Sequence, residues 1–485
     1  MSTASGANMI ETDLCVIGAG SGGLSVAAGA VQMGARVVLV EKGKMGGDCL
    51  NYGCVPSKSL IAAAGAADTV RHAGRFGVNG HEPAVDFAAL REHLRGVIAA
   101  IAPHDSVERF EGLGVTVLQA AARFTGPREL VAGDTTVKAR RFVVATGSSP
   151  AVPPIPGLDS VPFLTNETVF DLAERPAHLI VIGGGPIGAE LAQAQRRLGA
   201  RVSLLEMAKV LGKDDPEVTA FARRQLAADG VEIHEGIAIK QVARDGNAIA
   251  VTLENNGATT TLSGSHLLVA AGRKASVEGL GLEAAGVDFT ARGIAVDRRL
   301  RSSNKRIFAV GDVALVEGLG SYQFTHVAGY HAGIVIRNAL FRLPAKVDYR
   351  ALPWVTFTDP EIAHVGLTEA AAREKHGDAV KALTWSFEEN DRAQAERATA
   401  GLVKVVVGAR GKILGASIAG RHAGELLHPW VLAIGQGLKI GAMANMIAPY
   451  PTLGEAGKRA AGSYYTPTLF GERTKMIVRF LQRLG

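Results

Sequence analysis

The chain has 485 residues, of which 47% are hydrophobic and 20% are charged, a composition that excludes a disordered or fibrous protein. At roughly 100–200 residues per domain, this length predicts two to four domains. Lys and Arg outnumber Asp and Glu by 52 to 46, a net charge of +6, which is too small an excess to indicate a nucleic-acid-binding protein. Because the sequence shows neither a secretory leader nor an apolar membrane-spanning stretch, we expect a cytoplasmic protein.

The first predicted element is a β-strand that leads through a glycine-rich turn into a helix. The apolar run 14–17 precedes Gly-Ala-Gly-Ser-Gly-Gly at 18–23, and the next predicted strand ends at Glu41. In such a unit, glycines let backbone N–H groups approach a pyrophosphate, and the acid accepts hydrogen bonds from a ribose. We therefore predict a dinucleotide site that includes Gly18, Gly20, Gly23 and Glu41.

Two cysteines follow, Cys49 and Cys54. On a regular helix their Cα atoms would lie roughly 8–9 Å apart, too far for a disulfide, so a bond between them requires a distorted backbone, for which Gly53 supplies the freedom. A pair of buried free thiols is the alternative, but thiols directly after a dinucleotide site favour a redox pair. Cys15, in the first strand, is expected to be a core residue.

A second copy of the strand, turn and helix begins 165 residues after the first. A proline-rich segment at 150–157 is typical of a linker, and the strand-like run 179–182 leads into a second glycine motif at 183–188. A lone glycine motif is weak evidence, whereas two copies in matching context indicate two bound dinucleotides. The second site is predicted to include Gly183, Gly185, Gly188 and Glu206.

Breaks in the pattern predict three domains and a tail. Residues 1–150 and 277–345 are assigned to the first nucleotide-binding domain and residues 151–276 to the second. In 346–470, alternating stretches predict an antiparallel sheet followed by helices. No bound metal ion is expected.

The tail, residues 471–485, alternates Arg and Lys with apolar residues at helical spacing from Glu472 to Leu484. This pattern is typical of a basic amphipathic helix. Packing within a dimer is the expected role of its apolar face, and contact with an anionic membrane is the alternative.

Together, these motifs resemble the flavin-dependent pyridine nucleotide-disulfide oxidoreductases, a family that includes lipoamide dehydrogenase, glutathione reductase and mercuric reductase. The resemblance covers nearly the whole chain and keeps the motifs in family order. It implies an α/β fold with two Rossmann-like dinucleotide-binding domains, one for FAD and one for NAD(P)H. A C-terminal α+β dimerisation domain follows them. The resemblance also implies cofactor-binding roles for Gly47, Lys58, Thr146, Gly147, Gly272, Gly311, Asp312 and His326, although a structural role for His326 is the simpler interpretation.

The resemblance further implies that electrons pass from the nicotinamide to FAD and then to a Cys49–Cys54 disulfide. Cys54 resembles the thiol that lies against the flavin, and Cys49 resembles the thiol that meets the substrate. Lys58 matches a lysine near the flavin and Glu190 its carboxylate partner, roles that are compatible with a buried structural ion pair.

Glu206 favours NADH, because a carboxylate that accepts ribose hydroxyls repels the additional phosphate of NADPH. Lys209 partly offsets that charge, so use of both nucleotides stays open. Pro186 stands where the family has a tyrosine that covers the nicotinamide pocket.

Tyr450 and Glu455 stand where the dithiol enzymes carry a catalytic His and Glu, which act across the dimer. A phenol with a pKa near 10 is a poor base at neutral pH, whereas imidazole near 6.5 is well matched. We therefore expect slow exchange with dithiols, with His422 and His428 as possible replacement bases. Mercuric reductase likewise has a tyrosine five residues before a Glu, but residues 480–485 lack its C-terminal cysteine pair.

These features predict a homodimeric enzyme that resembles mercuric reductase and reduces a small thiol or disulfide substrate or a metal ion. Lipoamide dehydrogenase, the E3 component of a multienzyme complex, is the alternative. A redox-sensing flavoprotein with little turnover is a third, less favoured interpretation.

Overall fold

The computed structural model describes residues 8–484. Its contacts divide the chain into two compact units. The first contains the residues up to 183 together with 197–201 and 238–347, and the second contains 184–196, 202–237 and the residues from 348 onward. Within the described residues, no helix is both long enough and apolar enough to cross a membrane.

The described residues contain both α-helices and β-strands along the whole length of the chain. The strands are β1 (Asn8–Ile17), β2 (Val37–Glu41), β3 (Thr116–Gln119), β4 (Ala122–Gly126), β5 (Glu129–Ala132), β6 (Thr135–Val144), β7 (Ser148–Pro150), β8 (His178–Ile182), β9 (Arg201–Glu206), β10 (Val231–Glu235), β11 (Ala238–Asp245), β12 (Ala248–Asn255), β13 (Ala258–Gly264), β14 (His266–Val269), β15 (Arg273–Ala275), β16 (Phe289–Thr290), β17 (Gly293–Val296), β18 (Ile307–Ala309), β19 (Ala314–Val316), β20 (Pro353–Thr356), β21 (Glu361–Gly366), β22 (Lys381–Ser386), β23 (Leu402–Val407) and β24 (Ile413–Gly420). The α-helices are α1 (Ser21–Gln32), α2 (Gly47–Asn51), α3 (Cys54–His72), α4 (Phe87–Ile101), α5 (Val107–Gly112), α6 (Pro186–Arg197), α7 (Pro216–Ala228), α8 (Thr325–Ala339), α9 (Glu369–His376), α10 (Asp391–Ala395), α11 (Ala423–Leu426), α12 (His428–Gly435), α13 (Ile440–Ala444), α14 (Glu455–Ser463), α15 (Thr466–Leu469) and α16 (Glu472–Leu481).

The first unit is built on a seven-stranded sheet with the order β3-β2-β1-β6-β5-β4, in which β18 also pairs with β6. The strands β1, β2, β3, β6 and β18 run parallel to one another, whereas β5 pairs antiparallel with both β4 and β6. The chain winds outward from β1 to β3 and then returns to the other side of β1, so β1 and β6 flank the point where such sheets bind ligands. The predicted α/β fold is confirmed, and the carboxyl ends of β1, β6 and β18 lie side by side.

The centre of this sheet is apolar because its parallel strands are covered on both faces. The four residues before the first glycine motif, which include Cys15, are all buried in β1. Cys15 is completely buried, and this burial raises the pKa of its thiol. The prediction that Cys15 is a core residue is confirmed.

The second glycine motif is also preceded by a buried parallel strand, because β8 pairs in parallel with β14 within the first unit. In the second unit, β9 pairs in parallel with β10, so that Glu206 lies opposite Glu235. Both β8 and β9 therefore end at residues of the predicted second nucleotide site.

The residues from 348 onward form an antiparallel five-stranded sheet with the order β20-β21-β24-β23-β22. Helices α12 and α14 pack on it through a core that includes Trp430 and Phe387. This sheet was predicted from the alternation in 402–407 and 413–416, and the helices that follow it were also predicted. The predicted tail helix is present as α16.

Candidate active site

The first glycine-rich turn is closely packed at Gly18 and Gly23. Gly18 has φ +100°, and a β-carbon there would lie 2.5 Å from the carbonyl oxygen of Ala145 at the end of β6. A β-carbon on Gly23 would lie 1.8 Å from the carbonyl oxygen of Gly18. At Gly20, by contrast, the nearest atom would be 3.8 Å away, on Gly47. The turn therefore needs glycine at its ends for packing and leaves open space at its centre, beside the N-terminus of α1.

Glu41 holds this turn in place from the end of β2. Its Oε2 accepts a hydrogen bond from the backbone N–H of Ala19 at 2.6 Å, and its Oε1 accepts one from Gly43 at 2.7 Å. Each carboxylate oxygen can accept a second hydrogen bond. Glu41 therefore supports the turn and keeps acceptor capacity for ribose hydroxyls.

The second glycine-rich turn has the same construction. Gly183 has φ +109°, and a β-carbon there would lie 2.4 Å from the carbonyl oxygen of Ala270. Glu206 accepts hydrogen bonds from Gly184 at 2.7 Å and from Ala208 at 2.9 Å. A β-carbon on Gly185 would have no atom within 4 Å, which again leaves open space at the centre of the turn. Of the remaining glycines predicted here, Gly188 lies in α6, and Gly272, with φ +119°, lies between β14 and β15.

Asp312 lies at the end of the first sheet, directly after Gly311 and the short strand β18. The hydroxyl of Ser148 donates to Asp312 Oδ2 at 2.5 Å and accepts a hydrogen bond from Arg273 Nε at 2.7 Å. Arg273 also lies 3.1 Å from Asp48. Burial raises the pKa of Asp312, and the contacts with Ser148 and Arg273 lower it in part. Asp312 is therefore a partly buried acceptor in a network whose other members were not predicted from the sequence.

The turns beside Asp312 are held by two contacts that join distant parts of the chain. The backbone N–H of Gly311 donates to Nδ1 of His331 at 3.1 Å, and the Thr146 hydroxyl donates to the carbonyl of Ser276 at 2.7 Å. Burial lowers the pKa of His331 to about 4, so its ring is neutral at pH 7 and accepts this hydrogen bond. Gly147, next to Thr146, adopts a positive φ of 66°, which favours glycine.

The two cysteines lie on either side of a break between two helices. Helix α2 ends at Asn51 and α3 begins at Cys54, with φ −122° and ψ −114° at Gly53 between them. The predicted distortion at Gly53 is therefore confirmed. Both cysteines are thiols in the structure, Cys49 half-buried and Cys54 exposed.

The surroundings of Cys49 make its thiol harder to ionise than that of a free cysteine. A hydrogen bond with Cys54 raises the pKa of Cys49 most strongly, and burial raises it further. Cys49 therefore needs a base to become a thiolate at neutral pH. Lys58 follows Cys54 by one helical turn on α3, so the two residues share a helix face.

The N-terminus of α8 lies beside Cys54. The Thr325 hydroxyl is 3.5 Å from Cys54 Sγ, and the next residue, His326, stacks on Phe324 with a ring-centroid distance of 5.3 Å. A helix N-terminus carries partial positive charge, which stabilises a nearby thiolate. Thr325 was not predicted, although its neighbour His326 was.

Glu190 is buried on α6 in the second unit, where its Oε1 accepts the backbone N–H of Phe357 at 2.8 Å. This bond orients the carboxylate. The pairing of Glu190 with Lys58 stays a prediction.

Tyr450 is 70% exposed, and its hydroxyl donates to Asp391 Oδ2 at 3.0 Å. This hydrogen bond raises the pKa of Tyr450 above its usual value of 10, so the phenol is ionised at neutral pH even more rarely than the sequence indicated and is less available to accept a proton. Glu455 begins helix α14 and is half-buried. Of the alternative bases, His428 uses Nδ1 in a 3.1 Å contact with the carbonyl of Glu425. Asp391 was not predicted.

Comparison with known families accounts for most of the chain. Residues 12–332 match the family described as pyridine nucleotide-disulphide oxidoreductase. Residues 352–461 match the dimerisation domain of the same family. The second match supports a homodimer.

Similar proteins include two kinds of enzyme. A mercuric reductase from Streptomyces lividans is 39% identical over 460 residues, covering 93% of this chain and 96% of the relative. A dihydrolipoyl dehydrogenase from Geobacillus stearothermophilus is 36% identical over 461 residues, with 93% and 96% covered.

Solved structures show the same fold. LpdA from Mycobacterium tuberculosis has a TM-score of 0.84 at 26% identity, covering 93% of this chain and 99% of that one. A Cu(II) complex of RclA, an HOCl-induced flavoprotein disulfide reductase from Escherichia coli, has a TM-score of 0.82 at 26% identity, with 92% and 99% covered.

Proposed function

This chain belongs to the pyridine nucleotide-disulphide oxidoreductase family, and we propose that it uses NADH and the Cys49–Cys54 pair to reduce a soft metal ion, in a mercuric-reductase-like reaction. The family depends on FAD and a pyridine nucleotide. Bound FAD supplies two-electron transfer between the nicotinamide and a disulfide. A small disulfide is the second class of acceptor that the same thiols serve.

In this proposal the two glycine-rich turns hold the two cofactors. The open centres at Gly20 and Gly185 are the observations that support binding of a pyrophosphate at each turn. For FAD we assign Gly18, Gly20, Gly23, Glu41, Gly47, Lys58, Thr146, Gly147, Gly311, Asp312 and His326. For the nicotinamide nucleotide we assign Gly183, Gly185, Gly188, Glu206 and Gly272.

With a disulfide acceptor, the sulfur chemistry takes two exchanges. The Cys49 thiolate attacks one sulfur of the acceptor, which forms a mixed disulfide and releases one thiol. The Cys54 thiolate then attacks the sulfur of Cys49, which releases the second thiol and forms the Cys49–Cys54 disulfide. The two departing thiolates take up one proton each.

The first exchange requires a base, because Cys54 raises the pKa of Cys49. In the dithiol enzymes a histidine takes this proton, and the corresponding Tyr450 already donates its own proton to Asp391. This hydrogen bond is the observation that carries the proposal. A soft metal ion needs no such base, since binding to cysteine displaces the thiol protons.

We propose NADH as the preferred nucleotide. Glu206 carries its negative charge at the end of β9, where the adenosine ribose is expected. Lys209 is exposed three residues later and moderates this preference.

The test is anaerobic NADH oxidation by the purified, FAD-loaded dimer. The acceptors are Hg(II) buffered by cysteine, Cu(II), lipoamide, and a dye that takes electrons directly from the flavin. We expect turnover with a metal ion and with the dye, and at least tenfold less with lipoamide. Cys49→Ser should abolish metal turnover and spare dye reduction, so persistent metal turnover in this variant would refute the thiol relay.

Tyr450→His tests the role assigned to the phenol, with Tyr450→Phe as the matched control. A histidine restores a base of suitable pKa, so lipoamide turnover should rise at least tenfold in the His variant. It should stay low in the Phe variant. No gain in Tyr450→His would show that the missing base does not limit lipoamide exchange.

Dihydrolipoyl dehydrogenase is the second candidate. It is favoured by relatives of that name at 35–36% identity and by Glu455 at the start of α14. Rapid lipoamide turnover by the unmodified enzyme, together with binding to the acyltransferase core of a multienzyme complex, would establish it in place of metal reduction.

A further inference from the structure

We propose that the C-terminal segment from Leu469 to Leu484 docks this enzyme onto membranes rich in anionic lipid. Its central element is α16, Glu472–Leu481, which is called the tail helix below. The segment lies beyond residue 461, where the match to the dimerisation domain ends.

One face of the tail helix is apolar and exposed. At 100° per residue, four of its large apolar side chains and that of Leu484, just after the helix, project within a sector of about 140°, and Val478 projects about 60° outside that sector. Leu469 and Phe470, which precede the helix, are also exposed. The exposed fractions in the sector are 60% for Met476, 50% for Ile477, 61% for Phe480, 56% for Leu481 and 69% for Leu484.

The opposite face is basic. Lys475 and Arg479 project there, Arg483 lies just after the helix at the edge of the apolar sector, and Arg473 projects within that sector at the first turn. Glu472 is the one acidic residue of 472–484, and it pairs with Lys475 at 2.8 Å. A short helix with this division of side chains is typical of one that lies in the headgroup region of a bilayer.

The polar contacts described for the tail helix are local. The hydroxyl of Thr474 donates to the carbonyl of Thr468, and the backbone N–H of Lys475 donates to the carbonyl of Gly471. These bonds fix the start of the helix to the chain just before it. They leave its apolar face available to an external surface.

Charge decides between a lipid surface and a second copy of the chain. The whole chain carries a net charge of +6, so a second copy offers no overall attraction to a basic helix. An anionic leaflet attracts it, by about a fivefold gain in binding for each basic side chain near the surface. The helix has ten residues and is about 15 Å long, half the thickness of a bilayer core, so it lies on the membrane and does not cross it.

The test is flotation of the full-length, FAD-loaded enzyme with vesicles. One set contains phosphatidylcholine with 30% phosphatidylglycerol, and the other contains phosphatidylcholine alone. We expect the enzyme to float with the anionic vesicles at low salt and to be released by 0.5 M NaCl. Phe480→Ser combined with Leu481→Ser, or Arg479→Gln combined with Arg483→Gln, should lower binding at least tenfold.

Matched substitutions outside the tail control for general effects. Phe76→Ser with Val78→Ser removes exposed apolar side chains elsewhere, and Arg128→Gln with Arg292→Gln removes two exposed charges. Both should float as the unmodified enzyme does, and dye reduction should be unchanged in every variant.

The proposal is overturned if the unmodified enzyme does not float with anionic vesicles, or if the tail variants float as well as their controls. It is also overturned if the apolar tail variant fails to bind only because the dimer has dissociated, which light scattering would show. That result would place the apolar face against the second subunit.

Discussion

The two glycine-rich turns of this chain are built alike but differ in their surroundings. In both, the first glycine meets the carbonyl oxygen of an alanine from a neighbouring strand, Ala145 or Ala270. In both, the acid accepts the N–H that follows this glycine and a second N–H two residues after itself. The first turn, however, continues into α1, which contains no proline, whereas the second begins its helix with Pro186; each acid is followed three residues later by a lysine, Lys44 or Lys209.

This comparison separates the features that form a dinucleotide-binding turn from those that determine which dinucleotide is bound. The glycines and the acid fix the backbone, and these are the features that the two turns share. We expect selection to depend on residues around the turn, such as Pro186 at the start of α6 or the Asp312 network at the end of the first sheet. Substitutions at matching positions in the two turns can therefore separate the shared frame from the specific surroundings.

The largest effect is expected from Gly18→Ala and Gly183→Ala. An alanine at either position combines a positive φ with a contact of 2.5 or 2.4 Å to a backbone oxygen, which should cost at least about 3 kcal/mol of stability. Gly18→Ala should lose FAD, and Gly183→Ala should keep FAD but lose its reduction by NADH. Flavin absorbance and anaerobic titration measure the two losses.

Gly34→Ala is the control for these variants, since Gly34 has φ +85° but nothing within 4 Å of an added β-carbon. It should cost less and affect neither cofactor. If all three variants behave alike, backbone conformation and not the close contact controls the turns.

Acid should destabilise the first unit through His331, which accepts the backbone N–H of Gly311. Its pKa is about 4 in the folded chain, below the ordinary 6.5, so the neutral ring stabilises the fold above pH 6.5. This contribution falls as the pH drops from 6.5 to 4, by up to about 3 kcal/mol. In His331→Asn, which keeps an acceptor for the Gly311 N–H, unfolding measured from pH 7.5 to 4.5 should depend less on pH.

An exposed histidine provides the comparison for that experiment. His376→Asn should leave the pH dependence of unfolding as it is in the unmodified chain. If stability depends on pH equally in the unmodified chain and in both variants, a stabilising role for neutral His331 is wrong.

A smaller effect is expected at the open centres of the turns. Gly20→Ala and Gly185→Ala each place a methyl group in open space at the centre of a turn, so unfolding temperatures should change little. Because the methyl group occupies the space assigned to a pyrophosphate, we expect cofactor binding to weaken on the order of tenfold to a hundredfold. Gly20→Ala should weaken FAD alone and Gly185→Ala should raise the KM for NADH alone; an equal effect on both cofactors would contradict the assignment.

The smallest effect concerns nucleotide choice. Glu206→Gln removes one negative charge, and we expect the ratio of kcat/KM for NADH over NADPH to fall about fivefold to tenfold. Lys209→Gln should move the ratio the other way. Glu41→Gln is the matched change in the first turn and should leave the ratio unchanged. A change of the ratio in Glu41→Gln would contradict a specific contact between Glu206 and the ribose.

The fold was largely predictable because its signals are local. The buried strands, the glycine turns and the acids at 41 and 206 follow one another within about 25 residues, and each pattern has a single physical reading. The antiparallel sheet and tail helix also follow from periodicity. The exact division into domains, and the roles of individual site residues, stay predictions.

The site was only partly predictable because several of its contacts join distant residues. Thr325 meets Cys54 across 271 positions, and Ser148 meets Asp312 across 164. His331 carries no motif, and Asp391 becomes relevant only when the chain brings it to Tyr450. Such partners are set by tertiary packing, which no local pattern reports.

Because Cys15 is completely buried, it reacts with a thiol reagent only when the chain unfolds. In the folded protein an alkylating reagent can reach Cys49 and Cys54 but not Cys15, whereas the unfolded chain offers every thiol that is not in a disulfide. Intact mass after labelling therefore reads three adducts for an unfolded dithiol chain and one for an unfolded chain with a Cys49–Cys54 bond. The folded enzyme takes up two adducts when Cys49 and Cys54 are thiols and none when they form a disulfide. The number of adducts therefore reports both the oxidation state and the folding state of the chain.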